Sequence, residues 1–87
     1  MQTSHDKALE IIKSALDNVQ DGLSEKVTAK SDLTKDSILD SLDAMNFLFE
    51  LQTLLNSSLP EIGDGFSDYR MSTLIEIVEK HINSNLS

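Results

Sequence analysis

The residues with chemistry to offer are Asp40-Ser41-Leu42-Asp43, a hydroxyl between carboxylates where a polar stretch gives way to an apolar-periodic segment, Leu42 to Leu55. A serine attacks as a catalyst only when a base takes its proton and an oxyanion hole receives the charge. His5 and His81 are far away in sequence, and no triad motif surrounds Ser41. The hydroxyl is better suited to carry an attached group. An anionic group there would stand in the first turn of a helix, where free N–H groups and the positive end of the dipole favour it. Asp40 and Asp43 oppose that preference, which makes sense if they serve a cation or a partner's basic groups. Magnesium binds through one or two carboxylates plus phosphate, and basic side chains pair with the same carboxylates. The plainer reading is an ordinary helix start, because Ser and Asp are favoured there everywhere. On the residues alone both readings stand.

Four helical segments must position this motif. The first runs from Ser4 to Val19, with Ala8, Leu9, Ile11, Ile12, Ala15, Leu16 and Val19 at helical spacing. Thr3 or Ser4 is its cap, and Gly22 lies just past its end. Gln20 to Asp36 reads as a long structured loop pinned to the core by Leu23, Val27 and Leu33, and loops of that length are usually functional. The second helix covers Ser41 to Asn56, with Asp40 as N-cap; Asn56-Ser57-Ser58 and Pro60 end it. Pro60 to Asp68 is turn-rich, and Ile62, Phe66 and Tyr69 anchor a short third helix over Phe66 to Arg70. The fourth helix runs from Thr73 to Asn83. Thr73 and Glu76 have capping-box spacing, and Leu74, Ile75, Ile77, Val78 and Ile82 form its apolar stripe. Asn83 to Ser87 should fray.

On a helical wheel Ala44, Phe47, Leu48, Leu51, Leu54 and Leu55 fall in one core-facing arc with Ser41 at its edge. Leu42, Met45 and Phe49 fall beyond Ser41 as a second apolar patch at i, i+3 and i+7. Asp43 and Glu50 lie on the other side of the arc, with Asn46 nearby. An apolar patch beside polar residues marks a partner surface, unless another segment of the chain covers it.

Eighty-seven residues make one domain, 1–87, with a core near the lower limit for folding without staples. There is no cysteine, hence no disulfide and no thiolate metal site. No apolar run approaches the ~20 residues of a membrane span, and Met1 to Lys7 lacks the apolar stretch of a signal peptide, so cytoplasm is the expected location. Fifteen acidic against seven basic residues give a formal charge of −8. That field repels phosphate backbones and anionic lipid, which argues against nucleic acid or membrane as partner, and it draws in basic patches of other proteins. Size and charge predict a monomer. Asp64-Gly65-Phe66-Ser67-Asp68 has a faint calcium-loop character but lacks the spacing and closing glutamate of an EF-hand, so a turn is expected. His81 is read as a helix-end residue, His5 as solvated, and Met45 and Met71 as packing residues.

With its length, acidity and helix order, the Asp40-Ser41-Leu42-Asp43 motif resembles the acyl carrier protein family over nearly the whole chain. The resemblance implies an all-α, small four-helix bundle of three main helices plus a short third one. It implies a covalent 4′-phosphopantetheine on Ser41, beside Asp40, installed from coenzyme A with magnesium by a phosphopantetheinyl transferase. By the same analogy Leu42, Met45 and Phe49 are partner-facing, while Asp40, Asp43 and Glu50 form an acidic rim read by basic patches. Phe47, Leu51 and Leu55 match positions that line an acyl pocket, which the bulk of Phe47 and Phe49 narrows. Two departures point to a specialised stand-alone carrier. Ile38 stands where fatty-acid carriers have glycine, so that Ser37-Ile38-Leu39-Asp40-Ser41 resembles stand-alone carriers, D-alanyl carriers among them. Asn46, Gln52 and Thr53 are neutral where fatty-acid carriers are acidic.

The expected function is therefore a non-enzymatic carrier that presents acyl or aminoacyl thioesters to loading and acyl-using enzymes of lipid, polyketide or related biosynthesis. The alternative is an unmodified helical interaction module working through the Leu42/Met45/Phe49 patch. A small enzyme is disfavoured.

Overall fold

A computed structural model describes residues 3–28, 30–56, 59, 62 and 68–85. Among them are three α-helices, α1 (Ser4–Val19), α2 (Ser41–Leu55) and α3 (Met71–Asn85), with one 3₁₀ turn at Leu23–Lys26. The all-helical class expected from periodicity holds for the described residues. The short helix expected over Phe66 to Arg70 does not form across 68–70. Asp68 and Tyr69 run outside any helix into an isolated antiparallel bridge between Arg70 and Asp32. Residues 66 and 67, like the turn residues at 60, 61 and 63–65, lie outside the described set.

Helix α1 is the hub. Both α2 and α3 pack on it, and among the described residues their backbones do not meet each other. Ala8, Ile12, Ala15 and Leu16 are buried along α1, with Leu9, Ile11 and Val19 packed at the edges. Its start is fixed by Thr3, whose Oγ1 accepts the Asp6 N–H at 3.1 Å. Asp17 near its end caps the 3₁₀ turn, accepting from the Ser24 N–H and Oγ. Gly22 precedes that turn at φ +80°, where any side chain would strain the backbone.

The loop before α2 is tied down at both ends. Leu33 and Leu39 are buried in the core, and the Leu39 N–H donates to the Leu33 carbonyl at 2.8 Å, closing the loop between them. Ser37 turns this loop at φ 58°. Asp32 organises its start: its Oδ1 accepts the N–H groups of Thr34 and Lys35 and the Thr34 hydroxyl. These bonds, Lys35's first, hold the Asp32 carboxyl below the usual carboxylate range. Leu33 then donates its N–H to the Tyr69 carbonyl at 2.9 Å, and Met71 donates to the Ser31 carbonyl at 2.8 Å. Two main-chain bonds thus fasten the loop to the start of α3.

Helix α3 begins two residues earlier than its sequence pattern suggests. Thr73 therefore lies inside the first turn instead of capping it, and its hydroxyl donates to Asp68 Oδ2 at 3.0 Å. Arg70 grips the same carboxylate through Nε at 2.9 Å and a terminal nitrogen at 2.8 Å. With Arg70 as the main cause, the Asp68 carboxyl is held far below its usual range. Asp68 is thus a structural pin, and the weak calcium-loop reading loses that carboxylate; its other members lie outside the described residues. The far end of α3 continues to Asn85, beyond the fraying point expected at Asn83. Asn83 is held there, accepting from the Ser4 hydroxyl at 2.7 Å. His81 stands four residues before that end and is half-buried. His5 is not merely solvated, since its Nδ1 lies 3.2 Å from Glu79.

Two outcomes follow. Leu33→Ala should cost about 2–5 kcal/mol in urea or guanidinium unfolding, the range for deleting a buried leucine. Asp68 and Asp32 titrate lower in the folded chain than unfolded, so their stabilisation is complete above the usual value of 3.8 and fades below it. The Tm gap between the parent chain and Asp68→Asn should be constant near neutral pH and narrow as the pH falls below 3.8.

Candidate functional site

Ser41 is the first residue of α2, and it is exposed. The residue that starts the helix is Asp40: its Oδ1 accepts the Asp43 N–H at 2.8 Å, and its carbonyl accepts from Ala44 at 2.9 Å. The serine is therefore not the cap, and no described residue hydrogen-bonds its hydroxyl. The N–H groups of Ser41 and Leu42 precede the first intrahelical bond and face outward, as in any helix start. Leu39, buried just upstream, anchors the approach to the motif.

Beside the serine lies an open cleft of about 650 Å³, lined by Thr34, Ser37, Leu39, Asp40, Ser41, Ala44, Met45 and Tyr69. It forms where α2 starts, where the 33–39 loop turns, and where the bridge brings Tyr69 across. Burial pushes the Tyr69 phenol up from its ordinary range.

The wheel analysis holds for most of α2. Ala44, Phe47 and Leu51 are buried, and Leu48 and Leu55 are packed at the edge of the core. Leu54, assigned to the same arc, is instead 43% exposed. Among the described helices only α1 packs on this face, and it leaves Leu54 at the margin. Leu42, Met45 and Phe49 are 67%, 68% and 70% exposed, so no described residue covers the second patch. Met45 is thus a surface residue, whereas Met71 is fully buried, as a packing methionine should be. Asp43 and Glu50 are half-buried on the flank towards α1, where Glu50 accepts from the Asn18 amide at 3.4 Å. No Lys or Arg occurs from Ser41 to Asn56, so on α2 itself the patch has only acidic and neutral polar neighbours.

The structure brings neither histidine to Ser41 through any recorded bond. His5 pairs with Glu79, more than two turns along α3 from Tyr69 and the cleft. Among the described residues no group of three or more His, Asp or Glu is arranged to hold a metal ion, and no helix is long and apolar enough to cross a membrane. Sequence reasoning missed Thr34, Ser37 and Tyr69 as cleft residues. The spacing Asp32-Leu33-Thr34 is a signature of a side-chain-capped turn and signals a fixed loop there, but it does not say what the loop faces.

Compared with protein-family models, curated proteins and solved structures, the chain finds no match in any of the three.

Removing the Asp40 cap tests this geometry directly. Asp40→Ala should lower stability by about 0.5–2 kcal/mol in chemical denaturation, whereas Asp40→Asn, which keeps an accepting oxygen, should recover most of the loss.

Proposed function

We propose that this chain is a carrier of acyl-carrier type that holds acyl or aminoacyl groups as thioesters on a 4′-phosphopantetheine arm attached to Ser41. The observation that carries the reading is that Asp40 caps α2, which leaves the Ser41 hydroxyl unspent on the rim of a cleft. The Asp-Ser-Leu-Asp motif and its resemblance to acyl carrier proteins support the same reading.

The residues present fit such an arm. Ser41 offers an accessible oxygen, and the outward N–H groups of the first turn favour an attached phosphodiester. When bound, the arm supplies the thiol on which cargo is held. The chain's own part is to present Ser41 rigidly through Asp40 and Leu39. It also offers Leu42, Met45 and Phe49 as apolar contacts, and Asp43 with Glu50 as an acidic rim for a basic partner surface. Chemistry belongs to the partners: a phosphopantetheinyl transferase using coenzyme A and magnesium, then loading and acyl-using enzymes of lipid, polyketide or related biosynthesis. A cytoplasmic monomer in a four-helix arrangement belongs to this proposal, as does the absence of catalysis by the chain itself.

A second reading is favoured by the 67–70% exposure of Leu42, Met45 and Phe49, an apolar patch of the kind that marks a partner surface with or without an arm. The experiment that separates them is intact mass after incubation with coenzyme A, magnesium and a broad-specificity transferase. The carrier reading expects one phosphopantetheine added to the parent chain and none to a folded Ser41→Ala variant. No addition with several transferases transfers the case to the unmodified module, in which Ser41→Ala is silent. For either reading Phe49→Ala should weaken partner binding by about tenfold, a loss typical of an aromatic anchor.

A further inference from the structure

Of the chain's three methionines the structure describes two, and their surroundings are opposite. Met71 is fully buried at the start of α3, whereas Met45 on α2 is 68% exposed. A thioether oxidises readily where it meets the oxidant and slowly where packing screens it. Position adds a second observation. Met45 stands one turn beyond Ser41 and one turn before Phe49, with Leu42 three residues back, so it occupies the middle of the exposed apolar face. It also lines the cleft beside Ser41. Leu42 and Phe49 carry no sulfur, and the chain has no cysteine to react first. One sulfur atom therefore sets whether the centre of this face is apolar.

We propose that Met45 is a reversible oxidation site, through which a peroxide switches the apolar face beside Ser41 to a polar one. The sulfur lone pair attacks one oxygen of hydrogen peroxide. The O–O bond breaks as the S–O bond forms. The departing hydroxide takes the proton left on the transferred oxygen and leaves as water. Sulfur loses two electrons and the peroxide gains them. In the return step a dithiol supplies two electrons and two protons, becoming a disulfide, and the sulfoxide oxygen leaves as water. A sulfoxide is polar and accepts hydrogen bonds, so a partner packing on it has to strip water from it. The fold is left intact, because Met45 is outside the buried core. The same oxygen on Met71 would disrupt that core. Exposure thus directs the oxidant to the methionine that can respond without unfolding the chain. The inference rests on the face being a partner surface, which the carrier reading and the unmodified module share.

The test treats the chain with graded hydrogen peroxide and maps the added oxygen by peptide mass. Cleavage after Lys and Arg puts Met1, Met45 and Met71 in separate peptides, 1–7, 36–70 and 71–80. Met45 should oxidise at least about tenfold faster than Met71. The chain oxidised at Met45 should keep the parent's circular dichroism and unfolding transition, and be retained less by a phenyl matrix in native buffer. Its rate of arm addition from coenzyme A by the transferase should fall about tenfold, the factor for burying one unsatisfied polar group. The two epimer-specific methionine sulfoxide reductases with dithiothreitol should restore retention and rate. In Met45→Leu, peroxide should change neither readout relative to the untreated variant. Equal oxidation of Met45 and Met71, an unfolded product, or an unchanged rate overturns the proposal, as does a loss of retention that Met45→Leu shows equally. An untreated chain that accepts no arm removes the carrier reading alone, and mapping with retention then decides the proposal.

Discussion

Two main-chain hydrogen bonds, Leu33 to Tyr69 and Met71 to Ser31, hold the site together. They join a loop and a helix start that are more than thirty residues apart in sequence. Without them the 33–39 loop would have only its buried leucines to fix it, and side-chain burial alone does not set the direction of a backbone. With them, Leu39 is held at a fixed height above the core, Asp40 follows as the cap, and Ser41 emerges at a defined point. The Asp68–Arg70–Thr73 cluster braces the other half of the same bridge. An exposed ion pair of this kind adds little to stability. Its value here is geometric, since it fixes the corner from which Tyr69 crosses to the cleft.

Around that bridge the core is economical. In a chain this small one helix serves two neighbours: α1 is apolar over enough of its circumference to receive α2 on one side and α3 on the other. Helix α2, which has to cover only α1, carries more apolar surface than that contact uses. The surplus is Leu42, Met45 and Phe49, set beside acidic residues with no cation on the helix. Keeping three large apolar side chains in water works against stability and solubility, and the net charge of −8 opposes self-association through them.

The parts of the molecule governed by local rules were legible in the sequence. Periodicity gave α1 its limits at Ser4 and Val19, and Asp40 was readable as a cap because capping depends on residues three apart. The wheel separated Phe47 and Leu51 from Met45 and Phe49 for the same reason. What failed was non-local. Thr73 and Glu76 carry the spacing of a capping box, but Asp68 captures the Thr73 hydroxyl and the helix starts earlier, at Met71. Residues 68–70 were read as helical on their apolar anchors, whereas pairing with Asp32 draws them into a bridge. Leu54 matched the core arc in angle, and only the position of α1 decides that it is left uncovered. The serine was legible as a motif, but its cleft was not, because Thr34, Ser37 and Tyr69 meet there only through the bridge.

The clasp between Ser4 and Asn83 brings the first and last helices together at the end of α3 away from Tyr69. The start of α1 and the far end of α3 therefore lie at the pole opposite the serine. A bulky group attached to the exposed Thr3 or Asn83 would therefore sit away from Ser41 and from the face formed by Leu42 and Phe49, so a label there reports on the fold without blocking either.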